Sequence, residues 1–361
     1  MEFALSPDQT LMQDSLRSAL ARASTLDAVR QVASKRFAWD ATAWRTVCEL
    51  GIPAILVPEE HGGLGLSLLD MALASEELGR VVAPVPFLGS CVIAPLALLY
   101  AGTPEQQARW FPAIANGESV VGVALAEAIG GAFDGAGLEV RDGKLYGSAL
   151  FVLDGALANH YLVATRDRSL FWVDADGEGV EREALPALDS TRPFVKLHLA
   201  GAKAELLPNG NEGVLNRLRD AAWVMLAADV LGAGWAMIDK SVVYAHERRQ
   251  FGRQIGSFQA VKHMCSEMAA EMEITRGLVW YAAYAFNNLP DESALCAAHA
   301  KSILGDAGNF VARTATEIHG GMGITDELGL HFWFKRIGTD RQLFAGPQQV
   351  RRHAAQLQSL I

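Results

Sequence analysis

Residues 244–259 read YAHERRQFGRQIGSFQ, and they separate two long apolar, helix-like runs, 224–245 before and 260–289 after. Gly252 and Gly256 fall where one continuous helix would need strong helix formers. The stretch therefore predicts a helix end followed by a short turn. Arg248 and Arg249 stand at that end, followed by Gln250 and Phe251 and, past the turn, Phe258 and Gln259. A guanidinium beside free backbone N–H groups suits a phosphate, because its fork donates two charge-assisted hydrogen bonds at once. Composition alone leaves a second reading open, a basic corner between two packed helices.

Nearer the end, Glu317-Ile318-His319-Gly320-Gly321-Met322-Gly323 forms another glycine-rich turn. The first stretch, arginine followed by F-G-x-x-I-x-x-F-Q, resembles a signature of the acyl-CoA dehydrogenase flavoproteins. The second resembles that family's Q-x-x-G-G-x-G turn. Order and separation agree, and the resemblance extends over essentially the whole chain.

The chain has 361 residues, half of them hydrophobic, a formal net charge of −10 and a mean hydropathy of +0.15. That length builds a large core divided among two or three domains. The negative balance argues against nucleic-acid binding, which needs a basic patch or stripe. Cys48, Cys91, Cys265 and Cys296 are far apart with no C-x-x-C spacing, as expected of free thiols in a reducing compartment. Ser6, Pro7 and Asp8 read as a capped helix start and not as a signal peptide. No run approaches the roughly 18 uncharged apolar residues that span a bilayer, so a cytoplasmic protein without a membrane partner is expected. His299 and His319 have no metal-ligand spacing with a neighbour, and no metal is expected.

Taken in order, residues 1–118 read as a helical domain. It carries a Pro58-Glu59-Glu60-His61-Gly62-Gly63-Leu64-Gly65 loop and an apolar run broken by Pro84, Pro86 and Pro95. Residues 119–208 alternate short β-branched runs with turns, Asp142-Gly143 being the clearest hairpin signal, and predict a small β-barrel. Residues 209–361 show apolar positions at three- and four-residue spacing in four segments, 212–247, 258–289, 291–319 and about 341–360. The fold class is α+β multidomain: helical domain, central small β-barrel, C-terminal four-helix bundle.

The resemblance implies an FAD-dependent acyl-CoA dehydrogenase subunit, which removes an α-proton and a β-hydride from an acyl-CoA thioester to give a 2-enoyl-CoA. It implies electron-transfer flavoprotein or a similar acceptor, and a homo-oligomer or a hetero-oligomer with a paralogous subunit. By the same resemblance Arg248, Gln250, Phe251 and Gln259, with Glu317, Ile318, His319, Gly320 and Gly321, contact the adenine–pyrophosphate half of FAD across a subunit interface. Glu317 departs from the family's glutamine, and a carboxylate beside a pyrophosphate repels it. On the flavin-ring side, Ala126 and Leu153 stand where relatives carry hydroxyls, and Phe151 where they carry tryptophan. The residues matching the two alternative positions of the family's catalytic glutamate are Ala345 and Ala222, and Trp223 matches a neighbouring arginine. Asp229, two helical turns beyond Ala222 in an apolar run, is the expected substitute base; the alternative is a salt-bridged or partly exposed aspartate.

The combination resembles bacterial two-gene heterotetramers acting on bulky substrates such as steroid side-chain CoA thioesters. Two other readings stay open: a structural subunit that supports a paralogous partner, and a flavin oxidase or monooxygenase on the same scaffold.

Overall fold

The computed structural model describes residues 4–35, 38–131 and 136–361. Six helices come first: α1 (Pro7–Ala23), α2 (Leu26–Ala33), α3 (Ala41–Glu49), α4 (Leu68–Arg80), α5 (Ala94–Ala101) and α6 (Pro104–Ala115). A π-helical stretch, Leu88–Ile93, leads into α5. Local chemistry sets the starts. Ser6 and Gln9 cap α1 reciprocally, and Thr103 and Gln106 do the same for α6, each with proline at the first turn.

The middle of the chain supplies β1 (Val121–Ala124), a short α7 (Ala126–Ile129), β2 (Gly137–Arg141), β3 (Lys144–Leu153), β4 (His160–Ala164), β5 (Leu170–Asp174), β6 (Val180–Leu185), β7 (Phe194–Ala202) and β8 (Glu205–Leu207). The expected barrel is realised as one mixed sheet in the order β6-β7-β3-β1-β4-β5-β8, with β2 pairing β3 beside that path. β1 and β4 run parallel, and among the described residues no ladder joins β6 to β8. Asp142 and Gly143, at φ 50° and 72°, make the expected two-residue hairpin turn. Unforeseen in the sequence is a bulge in β3. Ala149 pairs with Leu197 but Val152 with Val195, so one extra residue enters, and Phe151 adopts φ 52°. Bulges re-aim side chains; this one brings the Phe151 ring to the surface, edge-on to Phe194 at 6.3 Å.

The last third holds α8 (Glu212–Glu247), α9 (Gln259–Asn288) and α10 (Pro290–His319), close to the expected segments. The fourth expected segment, about 341–360, is realised as the shorter α12 (Pro347–Leu357), and a helix that was not expected, α11 (His331–Gln342), precedes it. Charged residues interleave with the buried Phe332, Trp333 and Ile337 of α11 and mask its apolar stripe. Helix α8 is the axis of the molecule. It is the one helix among the described residues long and apolar enough to cross a membrane, yet 94% of its apolar window is buried inside the fold.

Glycine lets α4 and α8 touch backbone to backbone. A Cβ added at Gly232 would lie 1.8 Å from the Glu76 carbonyl oxygen, and one at Gly79 would lie 2.1 Å from that of Asp229. Ser75 donates across the same contact to the Met225 carbonyl at 2.9 Å.

Candidate functional site

The stretch 248–254 folds as a miniature hairpin of β9 (Arg249–Gln250) and β10 (Arg253–Gln254). Phe251 and Gly252 form its tip at φ 53° and 80°, the pair of positive values that a two-residue hairpin turn demands. A bulky residue in that region is strained, and the Phe251 side chain is 91% exposed. Arg248, Arg249, Gln250 and Gln259 are also exposed, and Arg248, Arg249 and Arg253 form no ion pair with an acidic side chain among the described residues. Arg253 lies 3.9 Å over the Phe258 ring. Unpaired guanidinium groups beside a projecting aromatic give a surface suited to a nucleotide diphosphate.

The second motif meets the first. α10 ends at His319, and Gly320 turns the chain at φ 57°. The His319 ring lies 4.5 Å from that of Tyr244, one turn before Arg248. Burial, with the Lys240 charge adding to it, holds the imidazole below its ordinary pKa, although its Nδ1 lies 2.7 Å from the Ala315 carbonyl. Of the five residues expected at the ligand, Ile318 and His319 face inward, while Glu317, Gly320 and Gly321 are exposed. A Cβ at Gly321 would meet nothing within 4 Å, so packing within this chain does not require its small size.

The ring-side positions divide: Phe151 reaches the surface, whereas Ala126 and Leu153 are buried. Ala126 and Leu153 are 3% and 0% exposed and carry no hydroxyl. The stretch 126–134 resembles a family segment on the flavin-ring side, and its end, Ala132, Phe133 and Asp134, lies outside the described residues. Glu127, next to Ala126, accepts from the Leu150 N–H at 2.6 Å, and burial raises its pKa against that hydrogen bond. The fold brings the two alternative glutamate positions together. Trp223, beside Ala222 on α8, donates from Nε1 to the Phe344 carbonyl at 2.7 Å, and Phe344 precedes Ala345. Phe344 and Ala345 hold φ 55° and 104°, a conformation that costs a non-glycine residue roughly 1–2 kcal/mol. Ala222, Trp223 and Phe344 are all buried.

Asp229 takes its salt-bridged alternative. Arg336 donates to both of its oxygens, Nε to Oδ1 at 3.1 Å and Nη2 to Oδ2 at 3.0 Å, and Arg192 Nη2 reaches Oδ2 at 2.9 Å. Burial opposes ionisation, but Arg336 and then Arg192 outweigh it and hold the carboxyl below the usual range. A carboxylate engaged on both oxygens in a closed interior is not presented to a substrate, which disagrees with the role expected for it as a base. The cluster ties the domains together. Arg192 comes from the β6–β7 connection and also pairs with Asp340 at 2.9 Å. Arg336 donates to Thr191 at 2.9 Å and lies 3.4 Å from the Ala83 carbonyl. Lys301 of α10 donates to the Asp340 carbonyl. The sequence signal for this arrangement was Leu188-Asp189-Ser190-Thr191-Arg192-Pro193, which alone reads as a surface turn.

Comparison with known proteins gives a consistent picture. Residues 6–118 match the model of the acyl-CoA dehydrogenase N-terminal domain and residues 213–358 that of the acyl-CoA dehydrogenase C-terminal domain. Acyl-CoA dehydrogenase IpdE2 of Mycobacterium tuberculosis is 30% identical over 346 residues, covering 96% of this chain and 95% of that protein. Among solved structures, the Tcur3481-Tcur3483 steroid ACAD superposes with a TM-score of 0.88 at 28% identity over 98% of both chains. The ChsE4-ChsE5 complex from Mycobacterium tuberculosis superposes with a TM-score of 0.89 at 25% identity over 100% of both.

Proposed function

The chain belongs to the acyl-CoA dehydrogenase family, and from that premise we propose that it is an FAD-dependent dehydrogenase subunit that works with a paralogous subunit. One contrast carries this reading. The hairpin and glycine turn offer an exposed surface rich in unpaired donors, whereas the centre that would hold a base has alanine at both glutamate positions and is packed shut around Trp223.

Arg248, Gln250, Phe251 and Gln259, joined by Gly320 and Gly321, would hold the adenine–pyrophosphate half of FAD. The donor set fits a diphosphate, and Glu317 opposes it. The flavin, when bound, supplies a hydride acceptor. The ring side of this chain does not fit it, because Ala126 and Leu153 are buried and have no hydrogen-bonding side chain. The chain thus contributes the nucleotide half of a shared site, and a partner carboxylate takes the α-proton. The likeness to a steroid ACAD and to the ChsE4-ChsE5 complex supports a bulky acyl-CoA substrate and a second subunit.

The test is flavin content and turnover. Purified alone, the chain is expected to show little flavin absorbance; co-expressed with a paralogue, the pair is expected to be yellow and to oxidise acyl-CoA. Full flavin and turnover in the chain alone would refute the shared site. Flavin-free protein that no paralogue activates would favour a purely structural subunit.

A further inference from the structure

Asp154 carries its carboxyl into the interior directly after the end of β3. Its backbone is left-handed, at φ 57° and ψ 8°, and such a conformation persists only where its surroundings over-determine it. Oδ2 accepts from the Gly89 N–H at 2.9 Å, whereas Oδ1 has no hydrogen bond among the described residues. Gly89 belongs to the π-helical stretch Leu88–Ile93, and π-helical turns frequently mark functional sites. That stretch is pressed onto the sheet. A Cβ at Gly89 would lie 2.2 Å from the Val121 carbonyl oxygen and 3.1 Å from Asp154 Oδ2, and the Val121 N–H donates to Ser90 Oγ at 3.0 Å. Beside the carboxyl lies a cavity of about 10 Å³, room for about one water, walled by Trp39, Pro84 and Pro86 from the helical domain and by Ala156, Leu157 and Pro193 from the β domain.

The charged neighbours do not pair with it. Arg192 of the β6–β7 connection and Arg336 of α11 are engaged by Asp229 and Asp340 and act on Asp154 only through space. From the π-helical stretch the facing titratable group is Cys91, whose thiol burial keeps protonated. A buried carboxyl with a single neutral donor is more stable with its proton on. Burial accordingly pushes Asp154 up to about 6, against the Gly89 N–H and the two guanidiniums.

We propose that Asp154 is a proton-operated latch between the helical domain and the β sheet. Protonated, it closes on the Gly89 amide and holds the π-helical stretch against β1 and the end of β3. Ionised, it draws water through the cavity and loosens that contact.

The test is amide hydrogen exchange in the full-length chain, read as protection factors for residues 87–94 between pH 4 and 8, in wild type and in Asp154→Asn. Asparagine keeps the acceptor oxygen, tolerates the left-handed backbone and carries no charge. The closed form binds the proton more tightly than the open one, whose carboxyl has its ordinary value of about 3.9. Wild-type protection is therefore expected to fall as pH rises from 4 to 6, by up to about tenfold per unit, and to level off above that. In Asp154→Asn it is expected to stay flat. The same pH dependence in both proteins overturns the latch, and so does flat wild-type protection from pH 4 to 6. A fall of equal size in α9 overturns it as well, because opening would then be global. The wild-type profiles at 87–94 and in α9 decide the matter even if the variant folds poorly. The experiment reads neither flavin nor turnover, so its outcome is independent of the proposed function.

Discussion

The rings of Tyr244 and His319 lie 4.5 Å apart, inclined at 31°, and this contact joins the basic hairpin to the glycine turn. The Arg248 N–H bonds back to the Tyr244 carbonyl at 2.8 Å, and His319 directly precedes Gly320 and Gly321. One stacked pair thus fixes how the two halves of the candidate nucleotide surface face each other. An aromatic pair contributes roughly 0.5–1.5 kcal/mol beyond area burial. Tyr244→Leu is expected to reduce flavin retention by the co-expressed pair by up to about tenfold while lowering Tm by only about 2–4 °C. Unchanged flavin alongside a lowered Tm would make the contact purely structural.

Arg248→Ala is expected to lower flavin occupancy of the pair with little effect on folding. The side chain is exposed and has no acidic partner among the described residues, and exposed substitutions away from special features stay within about 0.5 kcal/mol. Absorbance ratios of purified protein measure it, and full occupancy would remove Arg248 from the nucleotide surface.

Two glycine substitutions separate fold from surface. Gly232→Ala places a methyl 1.8 Å from the Glu76 carbonyl oxygen, and such overpacking is expected to cost about 1–3 kcal/mol in urea unfolding. Gly321→Ala meets open space and is expected to leave stability nearly unchanged while weakening flavin or partner binding. Equal stability losses in the two variants would contradict the assignment.

Asp229→Asn removes the charge that both Arg192 and Arg336 share. Breaking a buried pair from one side typically costs about 3–5 kcal/mol, so a large fall in the urea midpoint is expected. Unchanged stability with lost turnover would return Asp229 to a catalytic role.

Burial pushes the Lys301 amine down to about 7, against the pull of Asp340 and with the positive charges of Arg341 and Arg192 adding to the fall. The folded value lies below the unfolded one of about 10.4, so between those limits the unfolded chain binds the extra proton. Stability from this group therefore rises with pH across that window, by at most about 1.4 kcal/mol per pH unit. Lys301→Met is expected to show its greatest stability advantage over wild type at or below pH 7 and to lose it towards pH 10. Urea midpoints across that range measure the difference, and a pH-independent gap would show the lysine to be unshifted.

Much of the fold was legible because its signals are local. Ser6 and Thr103 announce helix starts through their own hydroxyls, Asp142-Gly143 announces a hairpin, and the spacing of apolar residues marks α8, α9 and α10. The bulge at Phe151 was not legible, since an extra residue in β3 exists only relative to β7. Nor was α11, whose burial comes from several neighbours at once. The candidate nucleotide surface was read from two short stretches, 248–259 and 317–321, and a turn was expected in the first, yet nothing there showed that Phe251 and Gly252 would form a hairpin tip.

By itself the sequence determined the family and the order of helical, β and helical regions. These rest on short-range patterns carried by each segment alone. The tertiary structure alone decided what Asp229 and Trp223 do. Asp229 found its guanidinium partner 107 residues away, and Trp223 found its acceptor 121 residues away. A buried polar group is defined by what packing places beside it, and packing brings together residues whose separation along the chain leaves no trace in either local sequence.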